Sequence, residues 1–158
     1  MSTDKKILDK VGRISPHSIE AEEGVLGCML INSESIPKAI QLLDSKSFYN
    51  TNHSIVFENM VELFDNNKSI DYISLTEQLK KNKQLKNVGG SYFITGLSNN
   101  APAAHNVEYY AQIVKEKEIL RRIISVAVDI STEAYESQED ATNILDKAEQ
   151  VLFNVSQD

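Results

Sequence analysis

Any chemistry in this chain has to come from a short roster: three histidines, one cysteine, a few adjacent carboxylates, two glycines in an apolar run and two lysine-rich clusters. His17, His53 and His105 never fall at the i, i+3 or i, i+4 spacing that sets two ring nitrogens on one helix face around a metal. They read as turn or helix-start residues. Glu22-Glu23 and Glu139-Asp140 have the residue types for acid–base work, but both stand where helices are expected to begin. The positive end of a helix dipole, together with solvent, accounts for them there. Cys28 lies in Val25-Leu26-Gly27-Cys28-Met29-Leu30, the setting of a buried inert thiol rather than a nucleophile. Gly24 and Gly27 would open a phosphate loop only after a strand and before Lys-Ser/Thr, and neither is present. Their expected role is to let another helix approach closely. Lys80, Lys81, Lys83 and Lys86 form one basic cluster, and Lys115, Lys117, Arg121 and Arg122 another. Solvated faces are the default for both, and phosphate contact is the sharper alternative.

The elements that would position these residues are all helical. The 158 residues are 41% hydrophobic and 25% charged, with no apolar run near the roughly 18 to 20 residues that span a bilayer. A single cysteine and a polar N-terminus without an apolar leader predict a cytoplasmic protein. The net charge of −7 argues against a free-standing nucleic-acid binder and in favour of protein partners. Residues 1–15 are expected to be a loose arm carrying Lys5, Lys6, Lys10 and Arg13. Residues 16–102 should then form a helical head. Ser18 can cap a first helix bearing Val25, Cys28 and Met29, and a short second helix follows with Pro37 in its first turn. A third, begun near Asn50 or Thr51, has a broad face of Val56, Phe57, Met60, Val61, Leu63 and Phe64, as a central helix requires. Ser74-Leu75-Thr76-Glu77 reads as a capping box for a fourth helix with Leu75 and Leu79 inward. Gly89-Gly90 and the cluster from Asn99 to Pro102 punctuate the rest.

Residues 103–158 contain no Gly or Pro and predict a long helical hairpin. Asn106 to Tyr135 would be its first arm, about 45 Å long at 1.5 Å per residue. The apolar side of this arm changes along its length: Val107, Tyr110, Ala111 and Val114 line one side, and Leu120, Ile123, Ala127, Ile130 and Ala134 roughly the opposite one. With Ile119, Ile124 and Val126 the second stripe is too wide for one short partner helix. Asp140 can start that partner, which bears Ile144, Leu145, Ala148, Val151, Leu152 and Val155. Two-residue alternation never persists, so the fold class is all-α: a globular helical head followed by a long helical hairpin.

The order of segments resembles the N-terminal domain of the bacterial replicative DNA helicase, the DnaB family. The likeness is carried by Pro16-His17-Ser18-Ile19-Glu20-Ala21-Glu22 with Val25-Leu26-Gly27, Phe48-Tyr49 with His53, Val56 and Phe57, Ile70-Asp71 with Ser74-Leu75, and Gly89-Gly90 with Tyr92. It continues through Pro102-Ala103-Ala104 and Asn106-Val107-Glu108-Tyr109-Tyr110-Ala111 to Leu120-Arg121. The resemblance implies hairpins that pair, six copies forming a trimer-of-dimers collar, with the collar docking the C-terminal domain of primase and governing helicase loaders. On that basis Ile119, Ile123, Val126, Ile130, Leu145 and Leu152 are expected at the hairpin and dimer interface, and Tyr92, Ile124 and Val128 at the primase contact. DNA would be engaged only through the full-length ring. Gly-x-x-x-x-Gly-Lys-Ser/Thr is absent from this sequence, so the resemblance assigns ATP and Mg to a motor domain that the 158 residues do not contain, and no cofactor or catalytic residue to the chain itself. His105 and Ala103 depart from the commoner residues of that family before the hairpin. A helical single-stranded-DNA-binding module or a stand-alone adaptor is the alternative reading.

Overall fold

Gly24 and Gly27 sit where two other segments press against the first helix. A methyl on Gly24 would meet the Tyr110 ring at 3.1 Å, and one on Gly27 would lie 2.6 Å from the Leu97 carbonyl oxygen and 2.8 Å from Ala101 Cβ. The close approach expected from sequence is therefore present, made by two segments some 70 to 90 residues further along the chain. The computed structural model describes residues 13–99, 101 and 106–157. Among these, seven α-helices and one 3₁₀ turn form and no strand does: α1 Ile19–Ile31, α2 Ser35–Leu42, the turn Ser45–Ser47, α3 Thr51–Asp65, α4 Tyr72–Lys81, α5 Gly90–Asn99, α6 Val107–Glu136 and α7 Ala141–Gln157. The fold class is all-α, as the periodicity predicts. Most of the expected arm, the residues Pro102, Ala103 and His105, and the boundary near residue 102 lie outside the described residues.

Helix starts follow their capping chemistry. Ser18 Oγ accepts from the Ala21 amide, and Asn50 Oδ1 accepts from the amides of Asn52 and His53. The expected capping box at Ser74–Glu77 is one turn too late. Asp71 is the cap of α4: its carboxylate accepts from the Ser74 amide at 2.8 Å while Ser74 Oγ accepts from the Asp71 amide at 2.9 Å. The physical reason is that Asp71, in extended backbone, offers the same reciprocal geometry one turn earlier and adds a turn to the helix. Glu77 instead faces solvent beside Lys80.

Helix ends are equally specific. After α3, Asn67 takes the left-handed conformation at φ 57°, with the Lys68 amide donating to the Leu63 carbonyl and the Asn67 amide to that of Phe64. After α4, Lys83 repeats this at φ 57°, with Gln84 donating to Leu79 and Lys83 to Lys80. Both are Schellman closures. Gly89, at φ 112°, turns the chain into α5 as its side-chain-free backbone allows.

The chain divides into two units. The first, His17–Glu118, has one apolar core around α1, whose Val25, Leu26, Cys28 and Met29 are fully buried. Val56, Phe57 and Met60 of α3, Leu75 and Leu79 of α4, Ile94 and Leu97 of α5, and Val107, Ala111 and Val114 of α6 complete that core. The second unit contains the rest of α6 from Ile119 onward and α7. The long helix contributes its first turns to one and its remainder to the other, which matches the change of apolar side read from the sequence.

Candidate functional site

Within the first unit the residue types that looked chemical turn out to build structure. Glu22 is not solvated at a helix start as expected. It is 1% exposed, and its carboxylate accepts from the amides of Tyr49 and Asn50 at 2.9 and 3.2 Å and from His53 Nδ1 at 2.9 Å. His53 Nε2 lies 3.6 Å from Glu23 Oε1, and its ring stacks on Phe93. His53 does start α3 as read, but as a buried member of this cluster rather than an isolated turn residue. Sequence reasoning missed it because the partners lie 31 residues apart. His17 stacks on Tyr49 with centroids 4.1 Å apart. Burial pushes the Cys28 thiol upward from its ordinary range, so the reactive thiolate is disfavoured. Among the described residues no group of His, Cys, Asp and Glu is arranged to hold a metal, and no helix is long and apolar enough to cross a membrane.

The second unit supplies a surface. After four polar residues the chain turns back from α6 into α7, and Lys147 Nζ reaches Glu139 at 2.7 Å and Glu133 at 3.5 Å. The hydrogen bond it donates to Glu139, with the charge of Glu133 nearby, holds the Lys147 ammonium above its usual range. A groove of about 340 Å³ runs between the helices, lined by Val126, Asp129, Ile130 and Glu133 on α6 and by Lys147, Gln150, Val151 and Asn154 on α7. Partner α7 thus faces the Val126–Ile130 side. No residue of α7 is buried.

At 100° per residue, Ile123, Ala134, Ala127 and Leu120 lie about 40°, 60°, 80° and 100° round from the middle of the Val126–Ile130 side. On α7, Leu145 and Leu152 are turned in the same sense from the half-buried Ile144, Ala148 and Val155. In two antiparallel helices the same sense of rotation leads to the same side, so these residues form one face. It is open: Leu120 is 44% exposed, Ile123 41%, Leu145 58% and Leu152 47%.

The expected interface residues therefore divide. Ile119, Val126 and Ile130 are half-buried on the side toward α7, whereas Ile123, Leu145 and Leu152 stand on the open face. Of the three expected exposed contacts, Tyr92 is 90% exposed on α5, in the first unit. Ile124 and Val128 are half-buried instead, on the side of α6 away from the groove, near Arg121, which donates to the Pro16 carbonyl at 2.8 Å. The periodicity put these residues on one broad apolar stripe; it carried no information about which part of that stripe a neighbour covers. Leu120, which the expected interface left out, belongs to the open one.

Comparison with known proteins follows the same geometry. The model of the DnaB-like helicase N-terminal domain matches residues 14–116. The replicative DNA helicase DnaB of Rhodothermus marinus is 37% identical over 147 residues, 93% of this chain and 16% of that protein. DnaB of Geobacillus stearothermophilus is 36% identical over 145 residues, 92% of this chain and 32% of that protein. The chain thus spans a third or less of the length of these curated relatives. The crystal structure of the N-terminal domain of DnaB helicase from Mycobacterium tuberculosis superimposes with a TM-score of 0.84 at 28% identity, covering 89% of this chain and 99% of that one. An all-α chain with this order of helices, matched by the family model over most of its first unit, belongs to the DnaB-like helicase N-terminal domain family.

Proposed function

We propose that this domain is an assembly and docking module of a replicative DNA helicase, pairing with a second copy through its hairpin and contributing in the hexamer to a trimer-of-dimers collar. The observation that carries the reading is the open face of Leu120, Ile123, Leu145 and Leu152. Isolated exposed leucines need no explanation, but a run of them along two adjacent helices, with no residue of α7 buried, is the signature of surface meant to be covered. At about 25 cal/mol per Å² of apolar surface removed from water, covering it in a symmetric pair drives association without any polar device.

Primase, through its C-terminal domain, is the proposed partner of Tyr92, Ile124 and Val128, with helicase loaders contacting the same collar. DNA unwinding, with ATP and Mg, would be the work of a motor domain outside the 158 residues. The cytoplasm is the proposed setting. Light scattering after gel filtration, with and without the primase C-terminal domain, tests both levels. A dimer or larger assembly that gains mass with primase is expected; a monomer indifferent to primase overturns the reading. Ile124→Asp and Val128→Asp should remove primase binding, and unchanged titration would delete those two residues from the contact.

A further inference from the structure

No Asp or Glu occurs between Glu77 and Glu108, although the chain has 23 of them, and the same stretch carries Lys80, Lys81, Lys83 and Lys86. All four lysines are exposed. Only Lys80 has an ion pair among the described residues, to Glu77 at 3.4 Å with both side chains more than half exposed. The other basic cluster is already engaged: Lys115 pairs with Glu118 at 3.3 Å and Arg121 bonds the Pro16 carbonyl. We propose that the lysine-rich turn closing α4 holds the phosphodiester backbone of a single-stranded nucleic acid.

Three observations converge on it. The turn is held firmly. Its Schellman closure fixes Lys83, Asn82 Nδ2 donates to Asn59 Oδ1 at 2.8 Å, and Asn59 Nδ2 donates to Gln84 Oε1 at 2.9 Å. Lysines on a held backbone lose less entropy when a ligand orders them. Second, Lys81-Asn82-Lys83-Gln84 and Lys86-Asn87 interleave ammonium and amide groups, the donors that proteins aim at phosphate and sugar oxygens. Third, Tyr72, at the opposite end of α4, is a partly exposed ring about two helical turns back from Lys80. The Ser91 hydroxyl foremost and then that of Thr95, with a lesser contribution from the Lys80 charge, lower the pKa of its phenol. A partly exposed ring on the helix that carries the lysines is a platform on which a base can stack.

The same chemistry argues against an acidic protein as occupant. Lysine is depleted from the cores of protein interfaces, and the turn has no exposed apolar or aromatic anchor between Lys80 and Asn87. The net charge of −7 does not prevent phosphate contact, because at about 0.15 M salt charges beyond roughly 8 Å are screened and a strand on the turn senses the local lysines.

The test is fluorescence anisotropy of labelled oligo-dT with the whole chain, from about 50 to 200 mM salt. Weak binding is expected, with log K falling against log salt at a slope of about −2 to −3 for up to four phosphates neutralised on a single strand. The Lys81→Glu, Lys83→Glu, Lys86→Glu triple variant should lose it. The neutral Lys81→Gln, Lys83→Asn, Lys86→Gln variant, unfolding as the parent does, should weaken it about tenfold and flatten the slope. Three results overturn the proposal: no binding at the lowest salt, parental affinity in the neutral variant, or equal competition by duplex DNA or polyglutamate. Solution mass, read on the same samples, reports the assembly function separately, so loss of one reading leaves the other standing.

Discussion

Glu22 and His53, 31 residues apart, meet at 2.9 Å inside the protein, and the same carboxylate also ties down the backbone amides of Tyr49 and Asn50. One side chain of α1 thereby fixes the start of α3. Removing either member takes a buried hydrogen-bonding partner from the other, which costs about 3 to 5 kcal/mol. Glu22→Ala and His53→Ala should each lower the urea midpoint by that equivalent at an unchanged slope. A loss under about 1 kcal/mol would show that the cluster contributes little to folding.

The two glycines of α1 should answer differently to the same substitution. Gly27→Ala drives a methyl against the Leu97 carbonyl, a backbone atom that cannot step aside, and overpacking of this kind costs about 1 to 3 kcal/mol. Gly24→Ala meets only the Tyr110 ring at 3.1 Å, and the gain in helix propensity of about 1 kcal/mol offsets it. Thermal unfolding should therefore fall by several degrees for Gly27→Ala and stay near the parent's for Gly24→Ala.

The start of α4 gives a third comparison. Asp71→Ala should cost about 1 kcal/mol as a lost cap, whereas Glu77→Ala, at an exposed site, should change stability by less than about 0.5 kcal/mol. Equal losses, or the reverse order, in denaturant melts would return the cap to Ser74.

On the hairpin, Leu145→Asp and Leu152→Asp should weaken self-association at least tenfold while leaving the melting of the first unit within about 0.5 kcal/mol, since neither side chain is buried in the single chain. Sedimentation of the double variant at the same mass as the parent would remove the open face from the assembly.

Cys28 should be alkylated slowly in the folded protein. Its thiol is raised by burial, so the thiolate is scarcer than in the unfolded chain. For a raised thiol the stability contributed is present below the unfolded pKa and declines as pH rises through that value toward the folded one. Labelling with iodoacetamide should track unfolding and quicken above the ordinary thiol range; a rate equal to that of a free thiol at neutral pH would place Cys28 at the surface.

The local layers of this protein were legible in its residues. Helical spacing located the elements, Ser18 and Asn50 announced their starts, Gly89 and Gly90 their interruption, and Gly24 and Gly27 the close approach of another segment. The change of apolar side along α6 separated its first turns from the remainder. These are properties of neighbouring residues, set by dihedral preference, capping and a 3.6-residue period. Tertiary structure alone decided two other matters: that Glu22 is buried on His53 rather than solvated, and that α7 covers Val126 and Ile130 while Leu120 and Ile123 stay open. Each depends on which distant group arrives at a given side chain. A periodic pattern defines faces, but only packing assigns each face its neighbour, because burial and pairing are energies between segments that the chain brings together late.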